Sequence, residues 1–213
     1  MDPLLRSWTD ALGDRPEVVA AGQGLLARYD EPHRRYHDRR HLAEVLAALR
    51  TLAAGRPLAV EVVCAAWLHD AVHRGRDDDE ERSADLAVQV LTDLAVDGGL
   101  VDEVARLVRM TLAHDPAPGD DLGALLSDAD LAVLGAAPER YARYAADVRS
   151  EYAHVPDAAF RTGRSAVLRD LLDRPRLFRT SAAHSRWDAT ARRNLRGEIA
   201  GLSVASDGAD RLP

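Results

Sequence analysis

The sequence predicts an all-α fold, a single bundle of about nine or ten helices. Ala, Leu, Arg and Glu are abundant, and all four are strong helix formers. Apolar residues recur at helical spacing, and no stretch shows the sustained alternation of β-branched residues that marks a strand. We expect one domain over residues 1–202 and a disordered C-terminal tail over 203–213.

The helices of the first half are predicted from their apolar spacing and from the breakers between them. The second helix ends before Pro32, and the third stops at Gly55. The fourth has Pro57 in its first turn and then reads LAVEVVCAAWL, which is apolar nearly all round and typical of a central, buried helix. The acidic run 77–79 precedes the fifth helix and favours its N-terminus. The predicted ranges are 3–12, 16–30, 38–54, 57–72 and 80–95.

The helices of the second half follow in the same way. The turn DPAPGD separates the sixth helix from the seventh, and Gly135 closes the seventh. Long periodic segments rich in Ala, Leu and Arg complete the chain up to the tail. The predicted ranges are 100–114, 121–134, 138–153, 156–173 and 185–202.

The composition excludes several kinds of chemistry. All 28 basic residues are arginine, so mechanisms that need a lysine amine, such as Schiff-base formation, are excluded. A single cysteine, Cys64, excludes intramolecular disulfides and any site with several cysteine ligands. Catalysis is left to Asp, Glu, His and Arg, together with any metal they hold.

Charge and hydropathy restrict the partners. The formal net charge of −7 argues against a non-specific nucleic-acid binder, so we expect no nucleic-acid polymer as partner. The run 57–68 is too short to span a bilayer, and the N-terminus MDPLLRSWTD lacks the apolar core of a signal peptide. We expect a cytoplasmic protein without membrane contact. No apolar seam predicts an oligomer, and a homodimer stays open.

A His-Asp pair stands at the end of the most apolar helix. The chain has three such pairs, about one being expected by chance, and only His69-Asp70 follows a buried helix. Burying two ionisable groups is costly unless their polar atoms are satisfied, and a divalent cation would satisfy both. Equally, the pair could mark a helix end that reaches solvent, where the helix dipole favours histidine.

Further ligand candidates lie on two other helices. His41 lies beside the apolar face of the third helix, with His37 one turn earlier, although a lone histidine is more often a surface or satisfied residue. The seventh helix carries Asp128 and Asp130 among apolar neighbours, and periodicity alone does not choose between them.

The order of these residues resembles a known family. His41, the pair His69-Asp70 and then Asp130 follow the H…HD…D pattern of the HD superfamily of metal-dependent phosphohydrolases. Longer segments, spread over about residues 34–200, are similar to a subfamily of small predicted HD phosphohydrolases: YHDRRH (36–41), AAWLHDAV (65–72), DEERSADLA (79–87), DADLAVLG (128–135), YARYAADVRSEY (141–152) and ARRNLRGEI (191–199).

The resemblance implies an all-α metalloenzyme whose residues 1–202 form a single HD-domain-like helical bundle. The metal ligands would be His41, His69, Asp70 and Asp130, and the family's Asp before Leu or Ile selects Asp130 over Asp128. The cofactor would be a divalent ion, with Mn, Mg, Fe, Co, Ni and Zn all open. The implied reaction is hydrolysis of a phosphate ester of a nucleotide or other small phosphorylated metabolite by a metal-activated water.

Other residues receive roles from the resemblance, each with a structural alternative. Asp70 would also orient the water, and Glu80 would act as a base, unless it is only an acid at a helix N-terminus. His37 and His114 would contact substrate, or His114 would ligate a second metal, unless His114 merely ends a helix. Arg149 would bind phosphate, since no lysine exists, unless it pairs with Glu151 or Asp147.

The chain departs from the subfamily at two positions. His73 stands where the subfamily usually has Tyr, and Asp79 stands where it usually has Asn. Neither replaces a ligand, but either change can alter specificity.

Two other functions stay open. One is an HD-fold di-iron oxygenase, which typically adds histidines between the His-Asp pair and the last Asp. Only His73 and His114 lie in that interval, so a dinuclear site is less favoured. The other is a non-catalytic module that binds a nucleotide.

Overall fold

The structure, a computed structural model, describes residues 2–209 of the backbone and the side chains up to residue 203. It has ten α-helices and no strand in this part of the chain, so the predicted all-α class is confirmed. The chain divides after Asp130 into two compact units, while one domain over 1–202 stays a prediction. The first unit contains α1 (Pro3–Leu12), α2 (Pro16–Tyr29), α3 (Arg39–Ala53), α4 (Val60–Leu68), α5 (Asp79–Asp93), α6 (Gly98–Met110) and α7 (Asp121–Asp130).

Helix α4 is the centre of the first unit. It packs against α1, α3, α5, α6 and α7, and every residue from Val62 to Leu68 is buried. This is the position predicted from its uniformly apolar sequence. Its C-terminus therefore delivers His69 and Asp70 into the interior of the unit. None of the described helices is both long and apolar enough to cross a membrane.

Two helices are shorter than predicted, and both end near the candidate site. Helix α4 stops at Leu68 instead of 72, because the amide of Ala71 turns back to the carbonyl of Leu68. Helix α6 stops at Met110 instead of 114, and His114 takes a left-handed φ of 48°. The periodicity of the side chains does not reveal these turns, because apolar residues continue past each helix end.

The second unit contains a 3₁₀ helix (Leu131–Gly135), α8 (Pro138–Glu151), α9 (Asp157–Asp173) and α10 (Ser181–Ala209). A Cβ atom on Gly135 would lie 2.5 Å from the Cβ of Trp187, so the close approach of α10 requires glycine there. Asn194 donates to the carbonyls of Leu134 and Ala136. The packing of these helices therefore explains the glycine at 135 and the asparagine at 194.

Helix α10 is longer than predicted at both ends. It begins at Ser181, where Thr180 Oγ1 accepts from the amide of Ala183, and it continues to Ala209. The helix thus covers residues 203–209 of the expected tail, a segment without a proline to stop it. Residues 210–213 of that tail lie outside the described residues.

Candidate metal centre

Three helices bring the four predicted ligands together. His41 lies in the first turn of α3, where the N-cap residue Asp38 accepts from its amide. His69 and Asp70 follow α4 directly, and Asp130 is the last residue of α7. Since α3, α4 and α7 pack against one another, their ends converge in the first unit.

The ligand atoms are spaced like the corners of a coordination shell. His41 Nε2 lies 3.2 Å from His69 Nε2, 3.1 Å from Asp70 Oδ2 and 3.1 Å from Asp130 Oδ1. His69 Nε2 lies 3.1 Å and 3.5 Å from the same two oxygens. With metal–ligand distances of about 2.1 Å, adjacent ligands are about 3.0 Å apart in an octahedral and about 3.4 Å in a tetrahedral shell. The four residues therefore fit around one divalent ion.

The hydrogen bond of His69 fixes which of its nitrogens can bind a metal. His69 Nδ1 lies 3.0 Å from the carbonyl of Ala66, which can only accept, so Nδ1 carries the proton. The Nε2 lone pair of neutral His69 then points at carboxylate oxygens, an arrangement that repels unless a cation lies between them. That cation is either a proton on Nε2 or a bound metal ion.

Burial distinguishes the two interpretations of the His-Asp pair. His41 and His69 are each 2 % exposed, so His69 does not mark a helix end that reaches solvent. The carboxylates of Asp70 and Asp130 keep 18 % and 13 % of their side-chain surface exposed. The imidazoles therefore form the closed side of the centre, and the carboxylates form the side that reaches solvent.

The electrostatics of the centre favour a cation. Burial lowers the pKa of His41, but hydrogen bonds to Asp130 and Asp70 outweigh it and raise this pKa from 6.5 to about 9. Burial likewise opposes the charged form of Asp70, yet His69 and then His37 hold the pKa of this carboxyl well below its usual range. The carboxylates thus stay ionised and attract either protons or a metal ion.

The metal-free protein is expected to lose stability as the pH rises. The pKa of His41 is higher in the folded protein than in the unfolded chain, so its contribution is complete below pH 6.5 and is lost as the pH approaches 9. We expect the free energy of unfolding, measured with urea in excess chelator, to be about 3 kcal/mol lower at pH 9 than at pH 6.5. A His41→Gln variant should show a much smaller difference, and a wild-type stability independent of pH in this range would contradict the account.

His114 holds Asp130 in place. Helix α6 ends before His114, whose Nε2 donates to Asp130 Oδ2 over 2.8 Å and leaves Oδ1 to the two buried imidazoles. A left-handed backbone at a residue other than glycine costs about 1 kcal/mol, so the neighbouring contacts must impose it. The role expected for His114 was contact with substrate, and the contact it makes here is with a candidate ligand.

Glu80 lies at the start of α5, close to the centre. Partial burial raises the pKa of its carboxyl, the charges of Asp70 and Asp79 raise it further, and the charge of His114 acts in the opposite direction. A glutamate whose pKa is moved toward neutrality is suited to accept and release a proton. Glu80 also lies in the first turn of α5, the position that its structural alternative requires, and its role as a base stays a prediction.

His37 also lies at the centre. Its ring centroid is 5.6 Å from that of His41 and 4.0 Å from that of His73. The structure thus brings together seven of the eight predicted site residues, all of which belong to the first unit: His37, His41, His69, Asp70, Glu80, His114 and Asp130.

Arg149, the eighth, belongs to the second unit. Its guanidinium donates to the carbonyls of Tyr152 and Val155, pairs with Asp157 and lies over the ring of Phe160. These contacts join the end of α8 to the start of α9. They supply a structural role for Arg149, with Asp157 as an acidic partner.

Arg34 fixes the ligand-bearing segments, and the sequence analysis missed it. Its guanidinium is buried and donates to the carbonyls of His37 and Asp70, each over 2.8 Å, and of Ala71 over 3.2 Å. One side chain therefore ties the segment before α3 to the segment after α4. Among 28 arginines, no local pattern distinguishes the one that will be buried.

The loop after Asp70 is fixed at three further points. Ser83 Oγ accepts from the amide of Val72 over 3.0 Å, and Asp79 Oδ2 accepts from the amide of Arg74. His33 Nε2 donates to the carbonyl of His73 over 2.6 Å. Such bonds hold the candidate ligands Asp70 and His73 on a fixed backbone, as a metal site would require.

No family model matches the chain, and no curated protein or solved structure matches it.

Proposed function

We propose that this protein is a metal-dependent phosphohydrolase of the HD type. It would cleave a phosphate ester of a nucleotide or another small phosphorylated metabolite, as the resemblance of its sequence implies. The observation that carries the proposal is the convergence of two buried imidazoles with two partly exposed carboxylates at 3.1–3.5 Å. The order of these residues along the chain is also that of the H…HD…D pattern.

The proposed centre combines a closed and an open side. His41, His69, Asp70 and Asp130 would hold the ion. A divalent ion bound there supplies Lewis acidity toward phosphoryl oxygens and makes water a better nucleophile at neutral pH. The open side, lined by the carboxylates and by His114, would admit the phosphate ester. His114 is 20 % exposed in its side chain, so it can also present a ring edge to substrate.

The protein's own residues would position the water and move its proton. Asp70 orients the attacking water through a hydrogen bond to its carboxylate. Glu80 takes the proton as the oxygen of the water forms its bond to phosphorus, and the leaving oxygen departs from the opposite side. Glu80 suits this step because its partial burial, together with the nearby negative charges, holds its pKa above the ordinary value.

Replacing Glu80 by glutamine is expected to lower kcat about 10²–10³-fold, because general-base catalysis contributes this much in comparable sites. Metal content should not change, since Glu80 is not a proposed ligand. Steady-state hydrolysis and metal analysis of the same preparation check both parts. Glu81, which lies on the exposed side and pairs with Arg109, offers a matched control in Glu81→Gln. Equal activity of the two variants would show that Glu80 is not the general base.

The function itself is tested with a panel of phosphate esters. Metal-free protein is supplied separately with Mn²⁺, Mg²⁺, Fe²⁺, Co²⁺, Ni²⁺ and Zn²⁺, and phosphate release is measured for nucleotides and sugar phosphates. We expect at least one pair of ion and ester to turn over. Iron-dependent consumption of O₂ without phosphate release would favour the oxygenase instead, and tight nucleotide binding without turnover would favour the binding module.

A further inference from the structure

A second group of ligand atoms lies beside the first centre. One nitrogen of His37, one carboxylate oxygen of Asp70 and one nitrogen of His73 all lie within 4.8 Å of one another. His37 precedes α3, while Asp70 and His73 belong to the loop after α4, so the group combines two segments of the first unit. Asp70 is common to this group and to the centre formed by His41, His69 and Asp130.

The two imidazoles of this group are held close together. The ring centroids of His37 and His73 are 4.0 Å apart, with an angle of 33° between the planes, and His73 is only 9 % exposed. Stacking two imidazoles next to a carboxylate leaves little room for either ring to turn away. Their nitrogens therefore stay within reach of the same carboxylate.

The backbone beneath both histidines is fixed by other residues. The carbonyl of His73 accepts from His33 Nε2, and the carbonyl of His37 accepts from the buried guanidinium of Arg34. The same guanidinium holds the carbonyl of Asp70. All three members of the group are thus preorganised by contacts outside the group, which is what a metal site requires of its supporting residues.

We propose that His37, Asp70 and His73 bind a second divalent cation, with Asp70 shared between the two ions. The inference rests on the proposed metal centre and adds an ion to it, but it does not depend on phosphate esters being the substrate. Two imidazoles and one carboxylate favour a first-row transition ion such as Mn²⁺, Fe²⁺, Co²⁺ or Zn²⁺ over Ca²⁺. Three protein ligands leave positions for water or substrate, as in catalytic sites.

With this site, the centre would hold two ions. One of the additional ligands, His37, precedes the first ligand His41 and so lies outside the interval between His69-Asp70 and Asp130, where the di-iron pattern adds its histidines. Paired ions stabilise both the attacking and the leaving oxygen of a displacement. A second cation here would therefore strengthen binding of an anionic substrate next to Asp70.

The test is the number of ions bound per chain. Purified full-length protein is stripped with chelator, loaded with Mn²⁺ or Co²⁺, desalted and analysed for metal. We expect two ions for the wild type and one for His73→Phe, a change that keeps an aromatic ring against His37 and removes the ligand. His37→Phe should also bind one ion. His184→Phe, at a histidine outside both groups with a 46 % exposed side chain, should keep two.

Electron paramagnetic resonance gives a second readout that does not require activity. Two Mn²⁺ ions sharing a carboxylate couple magnetically, so the wild type should show a broadened spectrum. The His73→Phe variant should show the six-line spectrum of an isolated ion. Circular dichroism identifies any variant that fails to fold, and the wild-type stoichiometry and spectrum still decide the question.

The outcomes separate this inference from the proposed function. One ion per wild-type chain, unchanged in His73→Phe, would overturn the second site while leaving hydrolysis intact. Two ions without hydrolysis of any phosphate ester would support the second site and count against the proposed function. A chain that binds no ion would overturn both.

Discussion

Replacing His69 or Asp130 by alanine is expected to abolish metal binding. It should also lower kcat/KM by at least about 10³-fold, which corresponds to about 4 kcal/mol of transition-state stabilisation. His69 and Asp130 each supply an atom within 3.5 Å of the other and of His41, and each is held by its own hydrogen bond. Metal analysis and hydrolysis assays on the same preparations measure both effects.

The chain offers matched controls for these two variants. Asp121 lies on α7 with Asp130 but is exposed in its first turn, so Asp121→Ala tests the effect of a lost carboxylate alone. His184→Ala does the same for an imidazole. Both controls should keep wild-type metal content. If Asp130→Ala keeps it as well, the assignment of Asp130 as a ligand is wrong.

Replacing Arg34 by leucine is expected to destabilise the protein by about 3 kcal/mol, because one buried and two partly buried carbonyl contacts lose their donor. The ligand-bearing segments on either side then lose their common support. We therefore also expect metal affinity to fall about 10–100-fold, as for other residues that orient metal ligands. Urea unfolding in chelator measures the first effect, and metal titration of the folded variant measures the second.

Arg35 provides the comparison for Arg34. It is the next residue, it is exposed, and its guanidinium donates to the nearby carbonyls of Pro32 and Arg34. Arg35→Leu should change stability by no more than about 0.5 kcal/mol. Arg34→Lys should recover only part of the loss, because an ammonium lacks the planar fork that reaches carbonyls of two segments. Equal stability of the Arg34 and Arg35 variants would contradict the role given to Arg34.

The fold could largely be predicted from the sequence because its helices are strongly periodic. Helix α4 was expected to be central from its composition, and its burial has that cause. The ends of α4 and α6 were predicted too far along the chain, since apolar residues continue into the turns that follow. Those turns depend on tertiary hydrogen bonds, such as the one from His114 to Asp130, which no local pattern encodes.

The candidate site was predicted less completely than the fold. Asp128 and Asp130 are equivalent by periodicity, and only the resemblance selected Asp130, whose carboxylate contacts the two buried imidazoles. The arrangement of His37 with His73 depends on how two loops pack, so their separation in sequence conceals it. Arg34 was missed for the same reason, since its partners are backbone carbonyls distant along the chain.

The central claim is that one divalent ion binds between His41, His69, Asp70 and Asp130. The most direct measurement is a crystal structure of protein loaded with Mn²⁺ or Co²⁺, with anomalous diffraction recorded at the absorption edge of the metal. The account predicts an anomalous peak about 2.1 Å from the Nε2 atoms of both histidines and from an oxygen of each aspartate. A loaded crystal with no peak at this position, or with its strongest peak on other residues, would contradict it.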